Sequence, residues 1–287
     1  MKLRNFEEAK DYLYRHIPEN PQLIFSGGRG LNRTKYLLRL LGNPQDKLKV
    51  IHIAGTSGKS STSYLLSLLL KSQGKQTGLF VSPHIFDIRE RIRLNNELIS
   101  KNEFVECLND IVPFIEETAK SSFGESTYFE ILTVMAFYFF LKKKVDYAVI
   151  ETGLGGLLDA TNVIRTTNKL CIITKLGYDH MEILGNSLAE IAAQKAGIIT
   201  KNSIVLTLEQ APEAEKILSE FSQKNRAQIF VLKDNLNFKN VRETKDMLTF
   251  DFSFQDIFWG DLSLGLIGLY QAQNCSLALA ALTQISK

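Results

Sequence analysis

The chain has 287 residues, 45% of them hydrophobic, and a formal net charge of +3. That length suits one large domain or two small ones with a packed core. The slight basic excess is spread along the chain with no basic stripe, which argues against a nucleic-acid surface and leaves room for small anionic ligands. Met1 to Lys10 is charged and lacks an apolar signal region, and the longest apolar run, Ile131 to Leu141, is about half of a bilayer span. No membrane association is expected, and the cytoplasm is the expected location. Cys107, Cys171 and Cys275 are too far apart for a metal-spaced pair; Cys171 and Cys275 lie in apolar runs and read as buried, reduced thiols.

In chain order, Phe6 to Ile17 reads as an amphipathic helix stopped by Pro18. Ser26 to Gly30 reads as a turn, and leucines from Leu31 to Leu41 make a second helix, ended by Gly42-Asn43-Pro44. Val50, Ile51 and Ile53 follow as a buried strand, then Gly55-Thr56-Ser57-Gly58-Lys59-Ser60, then leucines at helical spacing from Leu65 to Leu70. Strand, glycine loop and helix are the context of a phosphate-binding loop. Loop amides and the helix N-terminus face an anion, Lys59 adds a point charge, and a hydroxyl at Ser60 or Ser61 can reach magnesium. Ile53 stands where the ordinary Walker pattern has glycine, so this is a shorter loop, and by itself it specifies nucleotide phosphate but no reaction.

Thr77 to Val81 reads as the next strand, ending in Ser82-Pro83-His84; Arg89 to Ser100 reads as a hairpin with Asn95-Asn96 at its tip. Ser100 caps a helix from Lys101, with Glu103 in its first turn, and Thr127-Tyr128-Phe129-Glu130 opens a long apolar helix through Leu141. The strand Val145 to Ile150 delivers Glu151 to the turn Thr152 to Gly156, and Leu170 to Thr174 leads to Asp179-His180. Leu188 to Ile198 is a helix carrying Lys195. Beyond it, Ile204 to Leu206 and Ile229 to Leu232 flank a helix from Ala211 to Gln223. Phe238 to Leu266 reads as a small β-meander with poor alternation, and Tyr270 to Ile285 as a last helix. The expectation is an α/β fold with a mainly parallel sheet flanked by helices and ligands at the carboxyl ends of its strands. It divides into N-terminal helices (1–45), a phosphate-loop core (48–200), and peripheral strands with the last helix (201–287). Taken singly, Glu151 reads as a turn carboxylate, His180 as part of an Asp-His turn, and Lys195 as a solvated surface lysine.

Together these blocks resemble folylpolyglutamate synthase/dihydrofolate synthase, a branch of the Mur ligase family. The resemblance is carried, in order along the chain, by Ala54 to Ser60, Ser82-Pro83-His84 with Glu90-Arg91-Ile92, and Thr127 to Glu130. It continues through Glu151 to Gly156 running into Leu158-Asp159-Ala160-Thr161-Asn162-Val163, Asp179-His180 with Leu184-Gly185, and Lys195 to Ile198. It implies an ATP-dependent ligase that phosphorylates a pteroate or folate carboxylate and couples the acyl phosphate to the amino group of L-glutamate. It implies further that Thr56, Ser57, Gly58, Lys59, Ser60 and Asn274 bind ATP, and that Ser82, Glu151 and His180 hold magnesium. Lys59, His180 and Lys195 would serve catalysis, Lys195 after carbamylation by carbon dioxide. Thr127, Tyr128, Phe129, Glu130, Asp159 and Ala160 would line the pterin pocket.

The sequence departs from the family pattern at Ser57, at Ser60, at Leu157 where arginine is common, and at Lys175 where a small or amide residue is common. The family's C-terminal domain, which supplies the glutamate site, is expected to be absent, making this a truncated form or one completed by a separate chain. The other readings are a non-catalytic nucleotide- or pterin-binding remnant and a cell-wall ligase, which the Ser60 form favours slightly.

Overall fold

The computed structural model describes residues 2–19, 28–164 and 169–285. Ser26, the start of the expected turn before the second helix, lies outside them.

Helix α1 (Phe6–Tyr14) is capped by Asn5, whose side chain accepts from the Glu8 amide. It stops short of Ile17: the His16 and Ile17 amides donate three residues back, to Leu13 and Tyr14, so the chain tightens out of the helix before Pro18. Helix α2 (Arg29–Leu40) leads through a 3₁₀ turn at Pro44–Lys47 into β1 (Val50–Ala54), which is buried throughout. Then come α3 (Lys59–Ser72) and β2 (Thr77–Phe80). The expected hairpin is shorter than its sequence suggests. Ile88–Arg91 form a 3₁₀ turn capped by Asp87, and only β3 (Ile92–Leu94) and β4 (Glu97–Leu98) pair, around Asn95 and Asn96 in the left-handed region.

Helix α4 (Lys101–Lys120) begins in a capping box of Ser100 and Glu103. Helix α5 (Tyr128–Lys142) follows, then β5 (Tyr147–Glu151), β6 (Leu170–Ile173), the single-turn α6 (Met181–Leu184) and α7 (Leu188–Ala196). The chain continues with β7 (Ile204–Leu208), α8 (Pro212–Lys224), β8 (Gln228–Leu232), β9 (Phe238–Glu243), β10 (Leu248–Phe254), β11 (Ile257–Leu264) and α9 (Tyr270–Ile285).

Eight strands form the main sheet in the order β4-β3-β2-β5-β1-β6-β7-β8, parallel except for the β2-β3-β4 edge. β7 and β8 extend this sheet, β8 as its edge strand. Helices α1, α2, α4 and α5 share a core against one face, and α3 and α9 pack on each other within the core of the other. The meander is a separate three-stranded sheet, β11-β10-β9. Its central strand alternates cleanly, contrary to the expectation: Phe250, Phe252 and Phe254 are buried, and the phenylalanines are drawn inward to the core that contains α9. Register places Ile53 of β1 opposite Glu151 of β5, and Ala54 opposite Ile173 of β6. The carboxyl ends of the three central strands therefore finish side by side.

Candidate active site

The loop after β1 is shaped by what surrounds its glycines. Gly55 has φ +151°, and a Cβ there would fall 1.8 Å from Thr174 Oγ1. Gly58 has φ +86°, and its Cβ would fall 2.1 Å from Asn274 Oδ1. Asn274, near the start of α9, is thus held against the loop from the far end of the chain, and Thr62 Oγ1 donates to its carbonyl. The Thr56 and Ser57 amides do not face an anion site, as the motif suggested; both donate to the Lys175 carbonyl, at 3.0 and 3.2 Å. The amides that open α3, at Lys59, Ser60 and Ser61, have no intrahelical acceptor, as in the first turn of any helix, and are the ones available to an anion.

Lys59 Nζ donates to the carbonyls of Gly55 (3.0 Å) and Thr56 (3.2 Å). Ser60 Oγ donates to Glu151 Oε1 at 2.9 Å. Glu151 is 1% exposed, and its Oε2 has no hydrogen-bond partner. Burial pushes its carboxyl up to about 7, against the opposing pull of Lys59, Ser60 and the Ser82 amide. A buried carboxylate with one free oxygen, beside two serines, fits a hard cation. Among the described residues no group of three or more His, Cys, Asp or Glu converges, so phosphate oxygens and water would complete the shell.

His180 caps α6 in the left-handed region, its side chain is 48% exposed, and its ring faces Asp179 and Glu182. Lys195 is not a surface lysine: it is 2% exposed and donates to the Gly55 carbonyl at 2.8 Å. Burial first, and Lys59 second, bring its ammonium down to about 8.

Next to Glu151 a cavity of about 370 Å³ opens, lined by Ser82, Thr127, Phe129, Glu130, Asp159 and Ala160. Five of the six expected pterin-pocket residues meet there. Tyr128 does not: its amide is tied to the His16 carbonyl and its ring packs against the Arg91 guanidinium. Glu130 is already engaged, in a buried two-pronged pair with Arg33 at 2.6 and 2.7 Å. Sequence reasoning missed Arg91, Leu154, Ile183, Leu184 and Gln194, which also line the cavity. Arg91 stood in a recognised block without a role. In the structure it is buried, and its Nε donates to His84 Nδ1 at 2.9 Å.

A strand–loop–helix anion site at the carboxyl edge of a parallel sheet, with a buried carboxylate and an adjoining cavity, defines a nucleotide-binding α/β domain. The chain belongs to the Mur ligase family, whose middle domain matches residues 53–282. It is 36% identical over 283 residues to the dihydrofolate synthase/folylpolyglutamate synthase of Bacillus subtilis, an alignment covering 98% of this chain and 64% of that protein. The Mycobacterium tuberculosis folylpolyglutamate synthase complexed with ADP superposes with a TM-score of 0.87 at 31% identity, covering 98% of this chain and 62% of the other. An FPGS–AMPPCP–folate complex superposes with a TM-score of 0.87 at 30% identity, covering 96% and 65%. The chain thus spans somewhat less than two thirds of these relatives. Among the described residues no helix is long and apolar enough to cross a membrane.

Proposed function

We propose that the chain forms the ATP- and pteroate-binding part of a dihydrofolate/folylpolyglutamate synthase, a ligase joining a pteroate or folate carboxylate to L-glutamate. One observation carries this reading. Ser82 lines the cavity while its amide faces Glu151, and Glu151 accepts from Ser60 at the phosphate loop. A carboxylate on a cavity ligand would therefore meet a nucleotide's terminal phosphate at Glu151. The phosphoryl group passes to that carboxylate, and the glutamate amine then displaces phosphate to give the amide.

Lys59 would exchange its two carbonyl acceptors for phosphate oxygens, and Asn274 would brace the loop behind it. Ser82 and Glu151 would hold magnesium, with His180 joining once its ring turns from Asp179 and Glu182. The ion would neutralise charge on the transferring phosphoryl group. Lys195, buried and with a lowered ammonium pKa, supports the carbamate assignment, because only the neutral amine attacks carbon dioxide. The ammonium first gives up one proton; the neutral amine then forms the N–C bond to carbon dioxide and loses a second, so a cation becomes a carboxylate-like anion. Thr127, Phe129, Asp159 and Ala160 would hold the pterin end, the Phe129 ring offering a flat face. The glutamate site is assigned to the part of the relatives that this chain does not span. The three free, buried cysteines suit the reducing cytoplasm.

The test is ADP release dependent on both glutamate and dihydropteroate, measured for the 287-residue chain alone and with a separately expressed C-terminal domain of a relative. Release only on complementation is expected. Release by the chain alone would move the glutamate site into these residues. Saturable binding of a uridine nucleotide in place of a pteroate analogue would favour a cell-wall ligase instead.

A further inference from the structure

Behind the cavity wall lies a buried polar chain that the proposed reaction does not use. His52 sits in the middle of β1, fully buried. Its Nε2 lies 2.8 Å from Thr161 Oγ1, and its Nδ1 lies 3.3 Å from Nζ of Lys169, a lysine only 3% exposed. Thr161 donates both its hydroxyl and its amide to Asp159 Oδ1. Asp159 Oδ2 accepts from the Leu154 amide at 2.8 Å, and both Asp159 and Leu154 line the cavity.

The directions of these bonds are set by elimination. The Thr161 hydroxyl proton goes to Asp159, so Thr161 must accept from His52 Nε2 and the neutral ring is left with Nδ1 as the acceptor for Lys169. His52 is held neutral by burial and by Lys169, so its single proton is on Nε2 and goes to Thr161. The Thr161 hydroxyl, having accepted, gives its own proton to Asp159. Every link points from Lys169 toward the carboxylate at the cavity wall. Among the described residues, the other titratable groups facing this chain are Lys195, toward Asp159, and the Cys171 thiol, beside Lys169.

We propose that Lys169, His52 and Thr161 are positioning residues that hold the Asp159 carboxylate, and with it the Leu154 turn, in the shape that receives the pterin end of the substrate. The pterin assignment rests on the function proposed above; the hydrogen-bond polarity does not.

Two measurements on the intact chain separate these parts. The first is the ¹⁵N spectrum of the imidazoles. It should show His52 protonated at Nε2 with a hydrogen-bonded, unprotonated Nδ1, and Lys169→Met should shift Nδ1 to the value of an unbonded acceptor. A His52 protonated at Nδ1 in the wild type would overturn the proposal. The second is equilibrium binding of dihydropteroate and, separately, of the non-hydrolysable nucleotide AMPPCP. Lys169→Met should weaken dihydropteroate about tenfold, the effect of leaving a buried acceptor unsatisfied. Nucleotide binding should be unchanged, and Lys169→Arg should restore part of the loss. Equal weakening of both ligands would mean a merely structural role and would sink the positioning claim. If Lys169→Met does not fold, Thr161→Val breaks the same chain one link later and is read the same way. A wild type with the expected His52 tautomer that binds no dihydropteroate would refute the functional reading and leave the hydrogen-bond chain standing.

Discussion

Lys59 and Lys195, on two different helices, donate to the same acceptor, the Gly55 carbonyl, at 3.0 and 2.8 Å. Burial first, and the repulsion of the neighbouring Lys59 ammonium second, bring Lys195 down to about 8. Its amine is therefore neutral above that pH and reactive toward carbon dioxide. A carbamate resonance from ¹³C-bicarbonate should rise as pH passes through about 8. Lys59→Met removes a repelling cation, so the Lys195 pKa should climb and the onset move to higher pH. Absence of any carbamate signal at Lys195 through about pH 9, where the ammonium is largely deprotonated, would refute the carbamate assignment.

Glu151 carries a stability cost linked to its placement. Its folded-state pKa of about 7 lies above the ordinary 4.5. The native state therefore holds a proton that the unfolded chain has released, and stability falls as pH rises through that window. The span corresponds to about 3 kcal/mol. Glu151→Gln should match the wild type below about pH 4 and exceed it by up to about 3 kcal/mol at pH 8, while losing magnesium-dependent nucleotide binding. Urea unfolding at the two pH values checks the sign.

Gly58→Ala should damage the phosphate loop in two ways. Its φ of +86° costs an L-residue about 1 kcal/mol, and the new Cβ would strike Asn274 Oδ1. Nucleotide affinity should drop at least about tenfold, together with a lower melting temperature. Adding Asn274→Gly removes the collision but not the backbone strain, so stability should recover only in part. Full recovery would mean the strain is negligible.

The Arg33–Glu130 pair braces the N-terminal helices against the cavity wall, both side chains being 10% exposed or less. Arg33→Met leaves a buried carboxylate without its cation and should cost about 3–5 kcal/mol. Arg33→Met with Glu130→Gln should regain most of it. A double variant no more stable than the single one would show that Arg33 contributes packing and not charge. Thermal unfolding of the three proteins decides between them.

What the sequence determined by itself is local. The strand, glycine loop and helix around Gly55 to Ser60 were legible because they are contiguous and each has its own period. So were the caps: Ser100 with Glu103 announces α4 within four residues. The failures were failures of distance. Phe238 to Leu266 looked irregular because burial of Phe250, Phe252 and Phe254 depends on packing against a helix that comes later in the chain. That β7 and β8 extend the main sheet was not legible either, because membership of a parallel sheet is a pairing between strands separated by whole helices.

Tertiary structure alone decided which groups are charged and which are free. Nothing near Lys195 in sequence says that Gly55 accepts from it, or that Lys59 reaches the same oxygen. Nothing near His52 announces Lys169 and Thr161, more than a hundred residues on. Ionisation depends on desolvation and on neighbours brought close by folding, and both are properties of the packed chain rather than of any segment of it.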